Sequence, residues 1–191
     1  DCKEIICTGS CWEYAENQGL IDETGKLDWS NPFKFYKNKI RLDGSKIVKD
    51  MAQLTWIRPF FIYGRGQRKE SLIPMCIRKL RNNEKPNIVN PDSVNDLIHV
   101  TDVANGINAI INSRENSEIY NLGSGTGLAV WEVVNLIAAK LGKESVFAYR
   151  PRKYKGNIAG VDRLKSKGWE VKYNIDKGVE EVIDQLLKEE K

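Results

Sequence analysis

Two residues with catalytic potential occupy positions that a parallel sheet would bring to one edge. Ser10 follows the apolar segment 4–8, which predicts a short buried strand, and Lys39 lies 29 residues later in a predicted helix over 36–53. A hydroxyl at the end of a strand and a lysine on the next helix can line one cleft at the carboxyl ends of parallel strands, where ligands bind in such sheets. Either residue alone is uninformative, because solvated serines and lysines are common. The prediction therefore depends on the sequence around them.

Strands and helices alternate along the rest of the chain. After a predicted loop over 15–34, strands are predicted over 55–63 with a break at Pro59, and at 87–89, 96–100, 118–122 and 146–150. Helices are predicted over 71–80, from 103 behind the caps Thr101 and Asp102, over 129–141 with a stop at Gly142, and over 176–189. This alternation is typical of the α/β class with a largely parallel sheet. Too few strands precede residue 65 for a self-sufficient doubly wound domain, so the sequence indicates part of a larger fold.

Five segments in order along the chain resemble one known family. They are 8–14 (TGSCWEY), 31–39 (NPFKFYKNK), 58–67 (RPFFIYGRGQ), 95–104 (NDLIHVTDVA) and 120–125 (YNLGSG), with a Gly-Trp pair at 168–169 after them. Together they resemble the extended short-chain dehydrogenase/reductase family of NAD(P)-dependent nucleotide-sugar epimerases, dehydratases and reductases. The resemblance covers nearly the whole chain but only the second half of the family's pattern.

The resemblance implies a partial Rossmann-like fold, in which a doubly wound parallel sheet adjoins a smaller α/β substrate-binding region. Residues 1–64 would be the remnant of the Rossmann-like domain, with later segments interleaved, and residues 65–191 mainly the sugar-nucleotide region. The N-terminal dinucleotide-binding half would be missing, since Gly-x-x-Gly-x-x-Gly occurs nowhere in the sequence. We therefore expect NAD or NADP to bind the full-length protein and not this chain alone, because no helix N-terminus is available for the pyrophosphate.

The resemblance also assigns proton chemistry to Ser10 and Lys39, with one departure from the family's pattern. In the family a tyrosine four residues before the lysine completes the set, because the ammonium lowers the pKa of the phenol. Here that position is Phe35, and Tyr36 lies one residue late, about 100° further round a helix. Three interpretations remain open: an inactive or repurposed site, an engineered tyrosine-to-phenylalanine trap, or Tyr36 acting from a distorted helix start.

Further contacts are carried over from the resemblance by position. It implies substrate contacts from Trp12, Arg65, Asn95, Arg150 and Arg152, and cofactor contacts from Lys39, Arg58 and Pro59. Asn95 stands where the family usually carries arginine, which weakens a diphosphate contact there. His99 and Asp102 are interpreted as structural residues.

Composition excludes several other classes of function. The formal net charge is +4, from 30 Lys/Arg against 26 Asp/Glu spread along the chain, so no nucleic-acid partner is predicted. No apolar run is long enough for a membrane span, and cysteines at 2, 7, 11 and 76 with a single histidine make no metal set. Reduced thiols favour a cytoplasmic protein.

The expected partners are a nucleotide sugar and either a second copy of the chain or a complementary N-terminal fragment. Two functions remain as hypotheses: the carboxyl-terminal part of such an enzyme, or a catalytically silent sugar-nucleotide-binding or partner-dependent module.

Overall fold

A computed structural model of the protein describes residues 2–113 and 119–189, and within them strands and helices alternate as predicted. The strands are β1 (Glu4–Thr8), β2 (Gly19–Ile21), β3 (Gln53–Pro59), β4 (Phe61–Tyr63), β5 (Val94–His99), β6 (Ile119–Leu122), β7 (Gly127–Ala129) and β8 (Asn157–Ala159). The helices are α1 (Pro32–Val48), α2 (Leu72–Arg81), α3 (Val100–Ser113), α4 (Val130–Lys140), α5 (Asp162–Lys165) and α6 (Ile175–Glu189).

The first sheet contains three parallel strands in the order β1-β3-β6. The backbone groups of Lys3 and Gly9 bond to β3. Alternate residues of a strand bond to the same side, so the N–H and C=O groups of Glu4, Ile6 and Thr8 point away from β3. Among the described strands β3 is the partner of β1, and that outer side of β1 is an open edge.

The second sheet has the order β2-β8-β5-β4, with β7 antiparallel to β5. Its remaining pairings are parallel. The helices α2, α4 and α6 enclose a buried cluster beside β4 and β5 that includes Ile73, Ile77, Val134, Ile137, Val179 and Val182. The α/β class with parallel sheets is thus confirmed.

Helix α1 begins and ends earlier than its sequence pattern predicts. The side chain of Asn31 caps it by accepting the Lys34 N–H at 3.2 Å, and Pro32 occupies its first turn, both strong start signals. Gly44 does not interrupt it, because this part of α1 packs on Leu54 of β3. Only Lys34 and Asn38 of α1 are fully buried, and the opposite face is exposed.

Two predicted strands are wrong, at 87–89 and at 146–150, where the structure has loops. The amide of Asn135 bonds both backbone groups of Phe147, at 2.8 and 3.0 Å, and so replaces a neighbouring strand there. The predicted loop over 15–34 contains β2. The glycine-rich segment 123–127 (GSGTG), which follows β6, leads into β7. Gly142 ends α4 with φ of 66°, as predicted.

Asp102 does not cap a helix, contrary to the sequence prediction. It lies inside the first turn of α3, and its carboxylate accepts the backbone N–H groups of Lys172 and Tyr173 at 2.9–3.2 Å. It therefore fixes the segment that leads into α6.

Across residues 2–113 and 119–189, no helix combines the length and apolar character needed to cross a bilayer. The same residues contain no group of three or more His, Cys, Asp or Glu side chains placed to hold a metal ion.

Candidate substrate-binding cleft

Ser10 stands at the carboxyl end of β1 and caps a short 3-10 turn over Cys11–Glu13. Its Oγ accepts the Trp12 N–H at 3.2 Å, and Glu13 Oε1 accepts the Ser10 N–H at 2.9 Å. These reciprocal bonds satisfy backbone donors at the start of the turn. The Ser10 hydroxyl is therefore held at the sheet edge where the sequence predicts a ligand.

A buried network of polar side chains packs against this turn and holds it in place. Arg58 Nε donates to Glu13 Oε2 at 2.8 Å, and Arg58 Nη1 donates to the Tyr14 hydroxyl at 2.8 Å. Tyr14 donates in turn to Asn121 at 2.7 Å, and burial raises its pKa to about 12 despite the nearby Arg58 charge. Trp56 Nε1 also donates to Glu13, at 3.0 Å.

The side chain of Arg58, which the resemblance assigns to the cofactor, is instead enclosed within this buried network. Its side chain is 1% exposed and its partners are Glu13, Tyr14 and the carbonyl oxygen of Glu23. A guanidinium this enclosed is a structural ion-pair partner. Pro59, the other expected cofactor residue of β3, ends that strand opposite Leu122 and is partly exposed.

A cleft of about 430 Å³ opens beside the Ser10 turn. Its walls come from the turn after β1, the start of α1, β4, and the entries to β5 and β8. The lining residues are Cys11, Trp12, Tyr14, Glu16, Asn17, Lys34, Phe61, Asn90, Ser93, Val94, Asn95, Tyr154, Gly156 and Asn157. Two predicted substrate residues, Trp12 and Asn95, thus meet in one cleft.

Asn95 offers an open amide to this cleft. Its side chain makes no hydrogen bond within the part of the chain that the structure describes, and it is partly exposed. By contrast, Asn157 donates to the carbonyl oxygen of Ala15 and accepts the Gln18 N–H, so that amide holds the cleft wall together.

The three predicted substrate arginines lie outside the lining. Arg65 is exposed on the turn after β4. Arg150 Nε lies 2.7 Å from Asp92 Oδ1, and Arg152 bonds both carboxylate oxygens of Glu132, at 2.8 and 3.0 Å. Arg150 and Arg152 therefore anchor the loop over residues 146–153.

Lys34 is a cleft residue that the sequence does not predict. Its ammonium is buried and lies 2.7 Å from Asp28 and 3.4 Å from Glu16. No sequence signal marks it, since a lysine in the first turn of a helix normally faces water. Phe61 is also not marked as a cleft residue by the sequence, because its apolar neighbours indicate a buried strand over the whole segment.

The predicted catalytic lysine and its aromatic neighbours do not gather at Ser10. Lys39 pairs with Asp43 at 2.9 Å on the exposed side of α1. Phe35 packs edge-on against Trp29 and Tyr36, with ring centroids 6.0 and 5.6 Å away. It is Lys37 whose Nζ reaches the end of β1, 3.5 Å from the carbonyl oxygen of Thr8.

The sequence model of the NAD dependent epimerase/dehydratase family matches residues 1–123 of this chain. The chain belongs to that family. Among curated relatives, this family member is 38% identical to UDP-glucose 4-epimerase of Bacillus subtilis over 209 aligned residues, covering 91% of the chain and 60% of that protein. It is 25% identical to dTDP-4-dehydro-6-deoxyglucose reductase of Escherichia coli over 132 residues, covering 65% of the chain and 42% of that protein.

Solved structures agree on the fold of this epimerase/dehydratase family member. UDP-glucose 4-epimerase from Thermotoga maritima, solved with UDP-glucose, superposes with a TM-score of 0.85 at 20% identity, covering 99% of this chain and 65% of that one. An identity this low shows the fold alone. The chain thus spans between 42% and 60% of the length of the two relatives, and the Rossmann-like fold is a partial one.

Proposed function

We propose that this chain is the nucleotide-sugar-binding portion of an NAD(P)-dependent epimerase, dehydratase or 4-keto-sugar reductase. The cleft beside the Ser10 turn is the observation that supports this most directly. Cys11 and Trp12 follow β1 and Phe61 follows β3, so the cleft lies at the carboxyl ends of parallel strands. That is the edge at which α/β sheets bind their ligands.

In this proposal Ser10 contacts the oxygen on carbon 4 of the sugar. Its Oγ accepts the Trp12 N–H, and its O–H is the donor that the proposal assigns to the sugar oxygen. The Trp12 ring lies against the sugar, and the open amide of Asn95 binds a sugar hydroxyl or a phosphate oxygen. These contacts orient the sugar for a reaction at carbon 4.

The residues of this chain fit only the nicotinamide end of a dinucleotide. Lys37 and Pro59 stand at the ends of β1 and β3. The sequence contains no Gly-x-x-Gly-x-x-Gly segment for the pyrophosphate, and Arg58 is engaged with Glu13. Bound to the whole protein, NAD(P) would supply hydride transfer, and the part played by this chain is to position the sugar.

A second candidate function is sugar-nucleotide binding without chemistry. The residues one helical turn before Lys37 and Lys39 are Phe33 and Phe35, and neither can transfer a proton. Turnover by a form of the protein that carries a dinucleotide-binding half separates the two functions. Measurable turnover supports the enzyme, and tight sugar-nucleotide binding without turnover supports the silent module.

We also propose a macromolecular partner, either a second copy of the chain or a complementary N-terminal segment. At the open edge of β1 the backbone groups of Ile6 have no partner among the described strands, and the exposed side of α1 carries Ile40 and Ile47 beside the Lys39–Asp43 ion pair. Both features are unusual on an isolated soluble domain.

Titration calorimetry of the chain with UDP-glucose tests the binding function. We expect a Kd below about 1 mM, and Trp12→Ala should weaken it about tenfold or more, because truncating a contact aromatic is costly. Trp29→Ala is the matched control, since Trp29 is similarly half-exposed but packs on Phe35 outside the cleft. A folded chain that binds no nucleotide sugar contradicts the proposal.

A further inference from the structure

A second cavity, of about 870 Å³, lies at the other end of the three-stranded sheet from the cleft. The first residue of each strand of that sheet lines it, namely Glu4 of β1, Gln53 of β3 and Ile119 of β6. It shares no lining residue with the cleft, which lies at the carboxyl ends of the strands. Its volume is within the range of about 300–1,000 Å³ that is typical of small-molecule sites.

The floor of this second cavity is apolar. Leu54 and Trp56 of β3 line it from the same face of the strand, and Ile119 pairs with Trp56 in the register of the sheet. The one polar atom of the Trp56 ring, Nε1, donates to Glu13 Oε1 at 3.0 Å. The part of that side chain that remains for a ligand is therefore hydrocarbon.

Helix α1 forms the wall above this floor and brings one charged group to it. Arg41, Ser45 and Val48 all line the second cavity, and their spacing of four and three residues places them on one face of the helix. Within residues 2–113 and 119–189 the Nε of Arg41 is buried and has no hydrogen-bond partner. A guanidinium N–H that is shielded from water and unpaired is costly to the fold.

The Arg41 charge also lacks a carboxylate of its own. Burial lowers the pKa of Arg41, the positive charge of Arg58 lowers it further, and the charge of Glu13 opposes both. Glu13 already accepts from Arg58 Nε at 2.8 Å and from the Ser10 N–H at 2.9 Å. That carboxylate is thus engaged, and the network leaves Arg41 as a second cation beside it.

The remaining charged residues of the lining balance one another. They are two lysines and two acidic residues, Lys3, Lys49, Glu4 and Asp50. Their formal charges cancel, so Arg41 leaves the second cavity with one uncompensated positive charge over an apolar floor. A ligand that complements both features carries one negative charge and a hydrocarbon body.

We propose that the second cavity binds a small monocarboxylate with an apolar body. The carboxylate accepts from the Arg41 guanidinium, whose planar fork of donors matches the two carboxylate oxygens. The body packs on Leu54 and Trp56 and gains the contact that water does not provide. This site is independent of the sugar-nucleotide cleft and of the function proposed for it.

Three compounds titrated into the chain by calorimetry test the two parts of this ligand: 3-phenylpropionate, 3-phenylpropionamide and acetate. The amide keeps the body and loses the charge, and acetate keeps the charge and loses the body. We expect 3-phenylpropionate to bind with a Kd below about 1 mM, and each of the other two to bind about tenfold or more weakly. Equal affinities for the carboxylate and its amide would overturn the proposal, as would a folded chain that binds no 3-phenylpropionate.

A pair of variants of α1 assigns the binding to Arg41. Arg41→Met should weaken the binding of 3-phenylpropionate about tenfold or more. Lys46→Met is the matched control, since it removes the same charge from the same helix at an exposed residue that does not line the second cavity, and it should stay within about twofold. An affinity that survives Arg41→Met unchanged would overturn the proposal.

Two further measurements on Arg41→Met separate a ligand site from other roles of this arginine. Its urea unfolding midpoint should equal or exceed that of the wild-type chain, because the variant removes an unpaired charge, and a lower midpoint with unchanged affinity would make Arg41 a structural residue. Light scattering should show the same mass for the variant and the wild-type chain. Loss of an association in Arg41→Met would assign the arginine to a carboxylate of a protein partner and overturn the proposal of a small ligand.

Discussion

Lys37 Nζ lies 3.5 Å from the carbonyl oxygen of Thr8. Thr8 ends β1, whose outer edge is open, and precedes Ser10 by two residues. Lys39 instead pairs with Asp43. Residues two apart on a helix are separated by about 200° of rotation, so the two lysines leave α1 in opposite directions. The geometry thus favours Lys37 as the lysine of the site, whereas the spacing of the family's motif selects Lys39.

The first prediction follows from that geometry. In a form of the protein that carries a dinucleotide-binding half, Lys37→Met should lower kcat about 100-fold, because it removes the charge at the end of β1. Lys39→Met, the matched control, should stay within about twofold. The opposite pattern would mean that α1 starts in a different register when the cofactor is bound.

The second prediction concerns the missing phenol. Phe33 lies one turn before Lys37 on the same face, with the ammonium 5.9 Å from its ring centroid, whereas Phe35 lies against Trp29. Phe33→Tyr should therefore raise kcat about 100-fold, and Phe35→Tyr should not. A gain from Phe35→Tyr, which the sequence pattern selects, would contradict this geometry.

The third prediction is that the Arg58–Glu13 pair stabilises the fold. Its two atoms are 2.8 Å apart, and both side chains are at most 1% exposed. Arg58→Met should lower the free energy of unfolding by about 3–5 kcal/mol, since it leaves Glu13 charged and buried. Urea unfolding measures this, with Lys39→Met as a control that should cost at most about 0.5 kcal/mol. A loss as small as that control would show that Glu13 finds another partner.

The elements with strong local signals could be predicted from the sequence. α4 is an example, because its apolar period and the glycine at 142 mark its extent and its end. The loops at 87–89 and 146–150 were predicted as strands because apolar residues occur in both. The amide that holds Phe147 belongs to Asn135 of α4, 12 residues earlier in the chain, and no local pattern reveals such a contact.

The location of a site residue could be predicted only where its backbone position alone determines that location. Ser10 comes two residues after the end of β1, so its place at the sheet edge follows from that strand. Arg58 lies within a strand, yet its direction is set by Glu13, 45 residues earlier in the chain. The choice between Lys37 and Lys39 depends on the rotation of α1, which is set by the burial of Lys34 and Asn38.

The fourth prediction is that the buried His99 makes the stability of the fold depend on pH. Its ring stacks on Tyr173 at 4.0 Å, and its Nδ1 accepts the Thr101 N–H at 3.3 Å, so the neutral form carries its proton on Nε2. Burial lowers the pKa of His99, while the charges of Glu181 and Asp102 oppose that shift only in part. The folded state therefore binds fewer protons than the unfolded state.

The sign of the pH dependence follows from this difference. The contribution of His99 to stability is fully present above about pH 6.5, the unfolded pKa, and is lost as the pH falls below it, with a slope of at most about 1.4 kcal/mol per pH unit. His99→Phe keeps a ring against Tyr173 and should remove that slope between pH 5.5 and 6.5. Urea unfolding across this window measures it, and an unchanged slope would assign the pH dependence to other groups.

The fifth prediction is that the chain associates through the outward face of α1 and the edge of β1. Ile40 and Ile47 on that face are 58% and 69% exposed, and Ile5 and Ile6 belong to the strand with the open edge. Water contact with this much apolar surface is unfavourable, so a second copy or a complementary segment should cover it.

Light scattering measures this association at a chain concentration of about 100 µM. At that concentration, an association with a Kd in the micromolar range leaves most of the chain in the complex. Ile40→Glu and Ile47→Glu should each shift the chain to the monomer, because a carboxylate buried in the contact has no partner. Ile111→Glu is the control, since Ile111 is 48% exposed but lies on α3, away from α1. A wild-type chain that is monomeric at this concentration and unfolds in one sharp transition would show that the described core is sufficient and that this surface needs no partner.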